Sequence, residues 1–203
     1  YGYNFKDAPS LNSEGQTSYL QIDNDYIGFN SNFNLSPSKI MQISVAHEYF
    51  HGIQWGYRKN TTGSKYLYEM TSTWFEDILI PDGNDYLDGF TDPLLYNPTA
   101  DFDNIGGGYE LALFGHYLSS FVDKNGQTDE KNSSIMREIW ENFKSNSTSP
   151  SAFITIQSLL EIQYNMSFTE AWVDFMTRNL YNGIYEDMDN DFYYYIDQAL
   201  IDP

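Results

Sequence analysis

The stretch from Ser36 to Tyr57 reads Ser-Pro-Ser-Lys-Ile-Met-Gln-Ile-Ser-Val-Ala-His-Glu-Tyr-Phe-His-Gly-Ile-Gln-Trp-Gly-Tyr. It opens on a helix-start signal: the Ser36 hydroxyl can cap free N–H groups, and Pro37 suits the first helical position. The spacing predicts a helix running to about Trp55 and ending near Gly56, with Ile40, Ser44, His47 and His51 on one stripe. His47 and His51 are four residues apart, so one helical face presents both imidazoles to a single ion. Glu48 is offset toward a water on that ion, where a carboxylate acts as general base. Zinc is the ion this His-Glu-x-x-His pattern predicts, although copper or another divalent ion uses similar ligands.

A catalytic ion of this kind needs a third protein ligand and an open position for water. The metzincin spacing would put Gly at 54 and His at 57, but the chain has Gln54 and Tyr57. His116 is the one remaining His, so a carboxylate is expected instead. A second helix fits residues 65–79, stopped by Pro81-Asp82-Gly83. It carries Glu69-Met70-Thr71-Ser72-Thr73-Trp74-Phe75-Glu76-Asp77. Glu69 and Glu76 share a face two turns apart, about 10 Å along the axis, so one ion cannot bind both directly.

Here the chain resembles the gluzincins, in which a Glu on a later helix is the third ligand. Aminopeptidase N and its relatives read Glu-Gly-Phe-Ala-x-Trp-x-Glu on that helix; Glu69 matches the ligand, and Trp74 and Glu76 match the trailing positions. The resemblance is closer to a group of secreted bacterial metalloproteases with His-Glu-x-Phe-His-x-x-Gln-x-Gly-Tyr followed by Glu-x-x-x-x-Trp-x-Glu-Asp. It covers roughly residues 15–182. It implies zinc on His47, His51 and Glu69, with Glu76 as the rival ligand or a carboxylate just outside the ligands. It also implies an extracellular, bacterial setting. In thermolysin-like enzymes an Asp four residues after the ligand orients a His; Thr73 stands there, so that partner is missing or comes from elsewhere.

The group that stabilises the oxyanion is sought in Gly106-Gly107-Gly108-Tyr109, which enters an apolar helix containing His116. Tyr109 matches the catalytic Tyr of the aminopeptidase N family, with Leu111 in place of its Lys. His116 matches the donor type of thermolysin-like enzymes. Two turns separate them, so one of the two is expected to reach the ion. The Gly-x-Met-Glu-Asn signature that holds a substrate amino terminus is absent, which favours an endopeptidase.

Outward from these helices, residues 17–23 alternate in polarity and read as a strand. In the fold implied by the resemblance, an edge strand here would pair with extended substrate. Tyr26-Ile27-Gly28-Phe29 suggests another short strand. Residues 82–107 read as a long loop. Helices are expected at about 108–122, 131–144, 151–164 and 168–181, with a break near Asn165 and a short helix at the C-terminal end. The balance is α+β and zincin-like: a small N-terminal sheet, then mostly helix. One catalytic domain over 1–203 is expected, with sublobes 1–80 and 108–203 flanking a cleft.

Composition narrows the partners. Net charge is −19, with 29 acidic against 10 basic residues. Such a surface repels nucleic acid and anionic membranes, and a peptide or protein substrate is expected instead. No apolar run approaches the roughly 20 residues of a membrane span. There is no Cys, so disulfides say nothing about compartment. With Tyr1 in place of Met, removal of a leader or pro-segment, or excision from a longer chain, is expected. Asn60-Thr61-Thr62, Asn132-Ser133-Ser134 and Asn146-Ser147-Thr148 match the glycosylation pattern but carry little weight in an Asn-rich chain. Asp187-Met188-Asp189-Asn190-Asp191 and the looser set Asp82, Asp85 and Asp88 are weak candidates for Ca2+; neither completes an EF-hand. Two other functions are weighed against the peptidase, and the intact motif argues against the first, whose mark would be a lost general base or ligand. One is an inert zinc-stabilised binding or adhesion module descended from a peptidase; the other is a metal-dependent hydrolase of another bond, such as an ester.

Overall fold

The computed structural model describes residues 2–7, 15–26, 34–58, 63–87, 94–95, 99–104, 106–145, 151–185 and 192–201. Two strands, β1 (Gly2–Lys6) and β2 (Ser18–Ile22), pair antiparallel with Gly2 opposite Ile22 and Lys6 opposite Ser18. The expected strand at 17–23 is therefore β2, and its partner β1 is an addition. Outward-facing Phe5 and Tyr19 stack at 5.4 Å between ring centroids, a cross-strand pair of the sort that sustains a two-stranded sheet.

The long helix α1 (Pro37–Tyr57) begins as expected: Ser36 Oγ accepts from Lys39 N at 3.2 Å, and Pro37 is the first helical residue. Helix α2 (Lys65–Leu79) follows and packs against α1. Eleven of its residues are buried, six of them polar: Glu69, Thr71, Ser72, Thr73, Glu76 and Asp77. A helix enclosed on most sides is ordinarily apolar. Here the buried polar groups require internal partners, and those partners build the chemistry described below.

The expected helix at 108–122 is composite. A 3-10 segment, Gly106–Leu111, leads into α3 (Ala112–Tyr117), and a π-helical turn at Leu118–Val122 closes it. Helices α4 (Ile135–Ser145), α5 (Ala152–Gln163) and α6 (Phe168–Arg178) complete the helical part. The segment expected to start α4 at 131 instead forms a separate 3-10 turn, Glu130–Asn132. The break near Asn165 is present: Asn165 has φ of 50°, and Ser167 with Glu170 forms a reciprocal capping box that restarts the chain as α6. The expected C-terminal helix is a 3-10 turn at Ile196–Leu200.

The chain is thus mostly helical with a small antiparallel sheet, in keeping with an α+β class. One cluster of buried apolar residues runs from Phe50 to Ile201. Within the described residues, the 82–107 stretch holds two 3-10 turns, Asp85–Leu87 and Phe102–Asn104. No described helix is long and apolar enough to cross a membrane. Residues 27–29 of the second strand, the glycosylation matches at 60–62 and 146–148, and the acidic run at 187–191 lie outside the described residues, as does Asp88.

Candidate metal centre

Because α1 and α2 pack side by side, the His47–His51 face looks onto Glu69. The two imidazoles stand nearly perpendicular, 4.6 Å apart between ring centroids. Glu69 Oε2 lies 3.3 Å from His47 Nε2 and 3.5 Å from His51 Nε2. The three side chains are only 12%, 12% and 10% exposed. Among the described residues, this is the one group of three such side chains able to hold a metal ion.

The outer ring nitrogens are both engaged. His47 Nδ1 is hydrogen-bonded to Glu76 Oε1, and His51 Nδ1 lies 2.6 Å from Gln54 Oε1 and 3.1 Å from Ser72 Oγ. Carboxylate and amide oxygens only accept, so each Nδ1 carries the hydrogen and each Nε2 lone pair points inward. Three possible ligand atoms then lie within 4.8 Å of one another, with Glu69 Oε2 buried and facing the two imidazoles. A buried carboxylate oxygen in that position is stabilised by positive charge, from a metal ion or from a protonated imidazole. The residues fit a metal ion.

The charge balance says the same. Burial favours a neutral His47, but Glu76 and Glu69 outweigh it and hold the imidazole up at about 10. Burial pushes Glu69 up, yet hydrogen bonds and charge from His47 and His51 pull its carboxyl far below the ordinary range. Burial pushes Glu76 up against the pull of His47. Without an ion, a proton takes its place between these groups.

These side chains line an open cleft of about 630 Å3 that also includes Glu48, Tyr109, Thr73 and Glu76. Glu48 lies under β1: Asn4 Nδ2 donates to the Glu48 carbonyl at 2.6 Å, and a Cβ on Gly2 would stand 2.8 Å from Glu48 Cγ. The strand along the cleft is therefore β1, through Gly2, Tyr3 and Asn4, and not the expected β2 segment at 17–23. β2 pairs with β1 and contributes no residue to the cleft lining.

Tyr109 and His116 part company. The Tyr109 ring lies over His47, 5.9 Å between centroids and 10° from parallel. Burial, then the charge of Glu69 and a hydrogen bond to it, push the phenol well above its ordinary value. His116 does not line the cleft. It is fully buried, with Nδ1 2.8 Å from Glu130 Oε1, Nε2 3.8 Å from Asp77 Oδ2, and its ring stacked on Tyr195 at 5.0 Å. Residues 109–111 are 3-10 and α3 begins only at Ala112, so the two-turn α-helical spacing does not hold between Tyr109 and His116. Each residue there turns about 20° further than in an α-helix, which rotates His116 away from Tyr109.

Glu76 is thus hydrogen-bonded to a His rather than grouped with the three convergent atoms, and it supplies the carboxylate that Thr73 cannot. Gln54 and Ser72 had no assigned role in the sequence reading. The signal was present: Gln54 lies three residues beyond His51 and Ser72 three beyond Glu69, each on the ligand face. Of the looser acidic set, Asp82 is paired with Lys39 at 2.6 Å and Asp85 lines the cleft; no group of three forms there among the described residues. Comparison of the chain with protein-family models, with curated proteins and with solved structures gave no match.

Proposed function

We propose that this chain is a zinc-dependent peptidase of the gluzincin type, acting as an endopeptidase outside the cell. The observation that carries the reading is the convergence of His47 Nε2, His51 Nε2 and Glu69 Oε2 beside Glu48 in one open cleft. Two imidazoles and one carboxylate are the donor set of hydrolytic zinc. Bonds of about 2.0 Å at tetrahedral angles set ligand atoms about 3.3 Å apart; the separations of 3.3 and 3.5 Å support that ion over a larger, all-oxygen one.

When bound, zinc supplies a Lewis acid that polarises the scissile carbonyl and makes water acidic enough to act near neutral pH. Glu48 takes the proton from the attacking water and passes it to the leaving amine nitrogen as the C–N bond breaks. Tyr109 donates its hydroxyl hydrogen to the carbonyl oxygen as negative charge grows there. Its raised pKa keeps that hydrogen in place at working pH. Glu76 and Gln54 hold the two imidazoles in the tautomer that leaves Nε2 free.

The test is Glu48→Gln. Zinc content and fold are expected to match wild type, and cleavage of a peptide library is expected to vanish. Full cleavage by that variant would sink the mechanism; absence of bound zinc in the wild type would sink the centre itself.

A further inference from the structure

The cleft is electrically uneven along α1. Beyond His47 it is walled by Ile40, Ile43, Asp85 and Tyr86; beyond His51, by Trp55, Tyr68 and Lys65. In a chain with 10 basic residues against 29 acidic ones, Lys65 is the one Lys or Arg among the described residues lining that cleft. A second cation borders the same end: Lys6 Nζ sits 4.0 Å from the centroid of the Trp55 ring. The Lys65 side chain is 72% exposed, and its contact with Glu69 Oε1 is long, 4.0 Å.

An exposed i,i+4 pair at that distance holds weakly. A metal ion on Glu69 Oε2 would draw on that carboxylate's negative charge and weaken the hold of Oε1 on Lys65, which lines the cleft. A cation so placed, beside two aromatic walls at 5.0 Å from one another, suits an extended peptide bearing a carboxylate there. The surrounding negative charge would otherwise repel such a peptide.

We propose that Lys65 makes this cleft select peptides with an Asp or Glu side chain on the side of the scissile bond that faces the Trp55–Tyr68 end. The proposal rests on the peptidase reading above and names its substrate class.

Zinc-loaded wild type, Lys65→Gln and Lys65→Glu are compared on peptide pairs that differ by Glu against Gln at each position around the cleaved bond. Wild type is expected to favour Glu at one position by about twofold to fivefold in kcat/KM, the range of one exposed ion pair, with the difference residing in KM. Lys65→Gln should bring the ratio near one, and Lys65→Glu should favour Lys or Arg at that same position. Added salt should shrink the wild-type preference. In a second arm, uncleaved peptides are bound to zinc-loaded Glu48→Gln and to Glu48→Gln/Lys65→Gln; the Glu peptide should bind more tightly only to the first.

Cleavage with no acidic preference, or a preference that Lys65→Glu leaves unchanged, overturns the inference and leaves the peptidase reading standing. No cleavage by zinc-loaded wild type overturns that reading, and the binding arm then decides the inference separately: equal affinity for the Glu and Gln peptides overturns it.

Discussion

Gln54 Oε1 stands 2.6 Å from Nδ1 of His51, one turn away on α1. The amide nitrogen of Gln54 faces Tyr68 O, Thr71 Oγ1 and Ser72 Oγ at 2.9, 2.9 and 3.0 Å, so α2 fixes which way the amide points. That orientation makes the oxygen the group offered to His51, and therefore puts the His51 lone pair on Nε2. One fully buried Gln both joins the two helices and sets the His51 tautomer. Gln54→Ala should weaken zinc binding by about tenfold to a hundredfold. It should also lower stability by about 1–3 kcal/mol, because the α2 hydroxyls lose a buried partner. Zinc titration and urea unfolding measure the two effects separately.

On the proposed reading, Glu69 is a ligand and Glu76 orients one. Glu69→Ala removes one of three convergent donors and should abolish stoichiometric zinc binding. Glu76→Ala leaves all three donors and frees only His47 Nδ1, so zinc should bind about tenfold to a hundredfold more weakly. Glu76→Gln should restore most of that loss, since an amide oxygen still accepts from Nδ1–H. The reverse ranking would make Glu76 the ligand.

The two helices were legible because their signals are local. Ser36-Pro37 starts α1, the His spacing marks its face, and Pro81 stops the chain beyond α2. Glu69 followed from chemistry and from the gluzincin resemblance. What escaped the sequence depends on contacts across the fold. β1 (Tyr-Asn-Phe between Gly2 and Lys6) is a strand only by virtue of its pairing with β2. Gln54 looks like any polar residue on an amphipathic helix until α2 covers it. The sequence left Tyr109 and His116 as rivals two turns apart, because which of them lines the cleft depends on how a 3-10 segment meets α3. Glu130, which holds His116, sits in a short turn with no periodic signal.

His116 gives the protein a pH response of its own. Burial pulls this imidazole down, but Glu130 first, then Asp77 and Asp197, raise it from 6.5 to about 9. A group raised on folding stabilises fully below its unfolded pKa and loses that contribution as pH climbs through the folded one. Asp77 acts in the same direction: burial, with Asp197 and Glu130 adding, lifts it from 3.8 to about 7 against the pull of His116. The protein with zinc bound should therefore lose thermal stability as pH rises from about 7 to about 9. His116→Gln should be less stable at neutral pH, since Asp77, Asp197 and Glu130 lose their cation, and the His116 share of the fall between about 7 and about 9 should disappear from its curve. Unchanged zinc content in this variant would set His116 apart from the metal centre; loss of zinc would return it there.

Tyr109 reaches His47 because two glycines turn the chain just before it. Gly107 and Gly108 have φ of 80° and 113°, and a Cβ on Gly108 would overlap the Tyr66 backbone in the first turn of α2. Gly108→Ala should therefore displace the segment that carries Tyr109 while leaving α1, α2 and the zinc ligands in place. Tyr109→Phe removes only the hydroxyl and keeps the ring over His47. If that hydroxyl steadies the developing oxyanion, kcat should fall by about a hundredfold to a thousandfold with KM and zinc content nearly unchanged. Gly108→Ala should reproduce the fall in kcat and should also disturb KM, because the cleft wall itself moves. Equal kcat in Tyr109→Phe and wild type would confine Tyr109 to packing against His47.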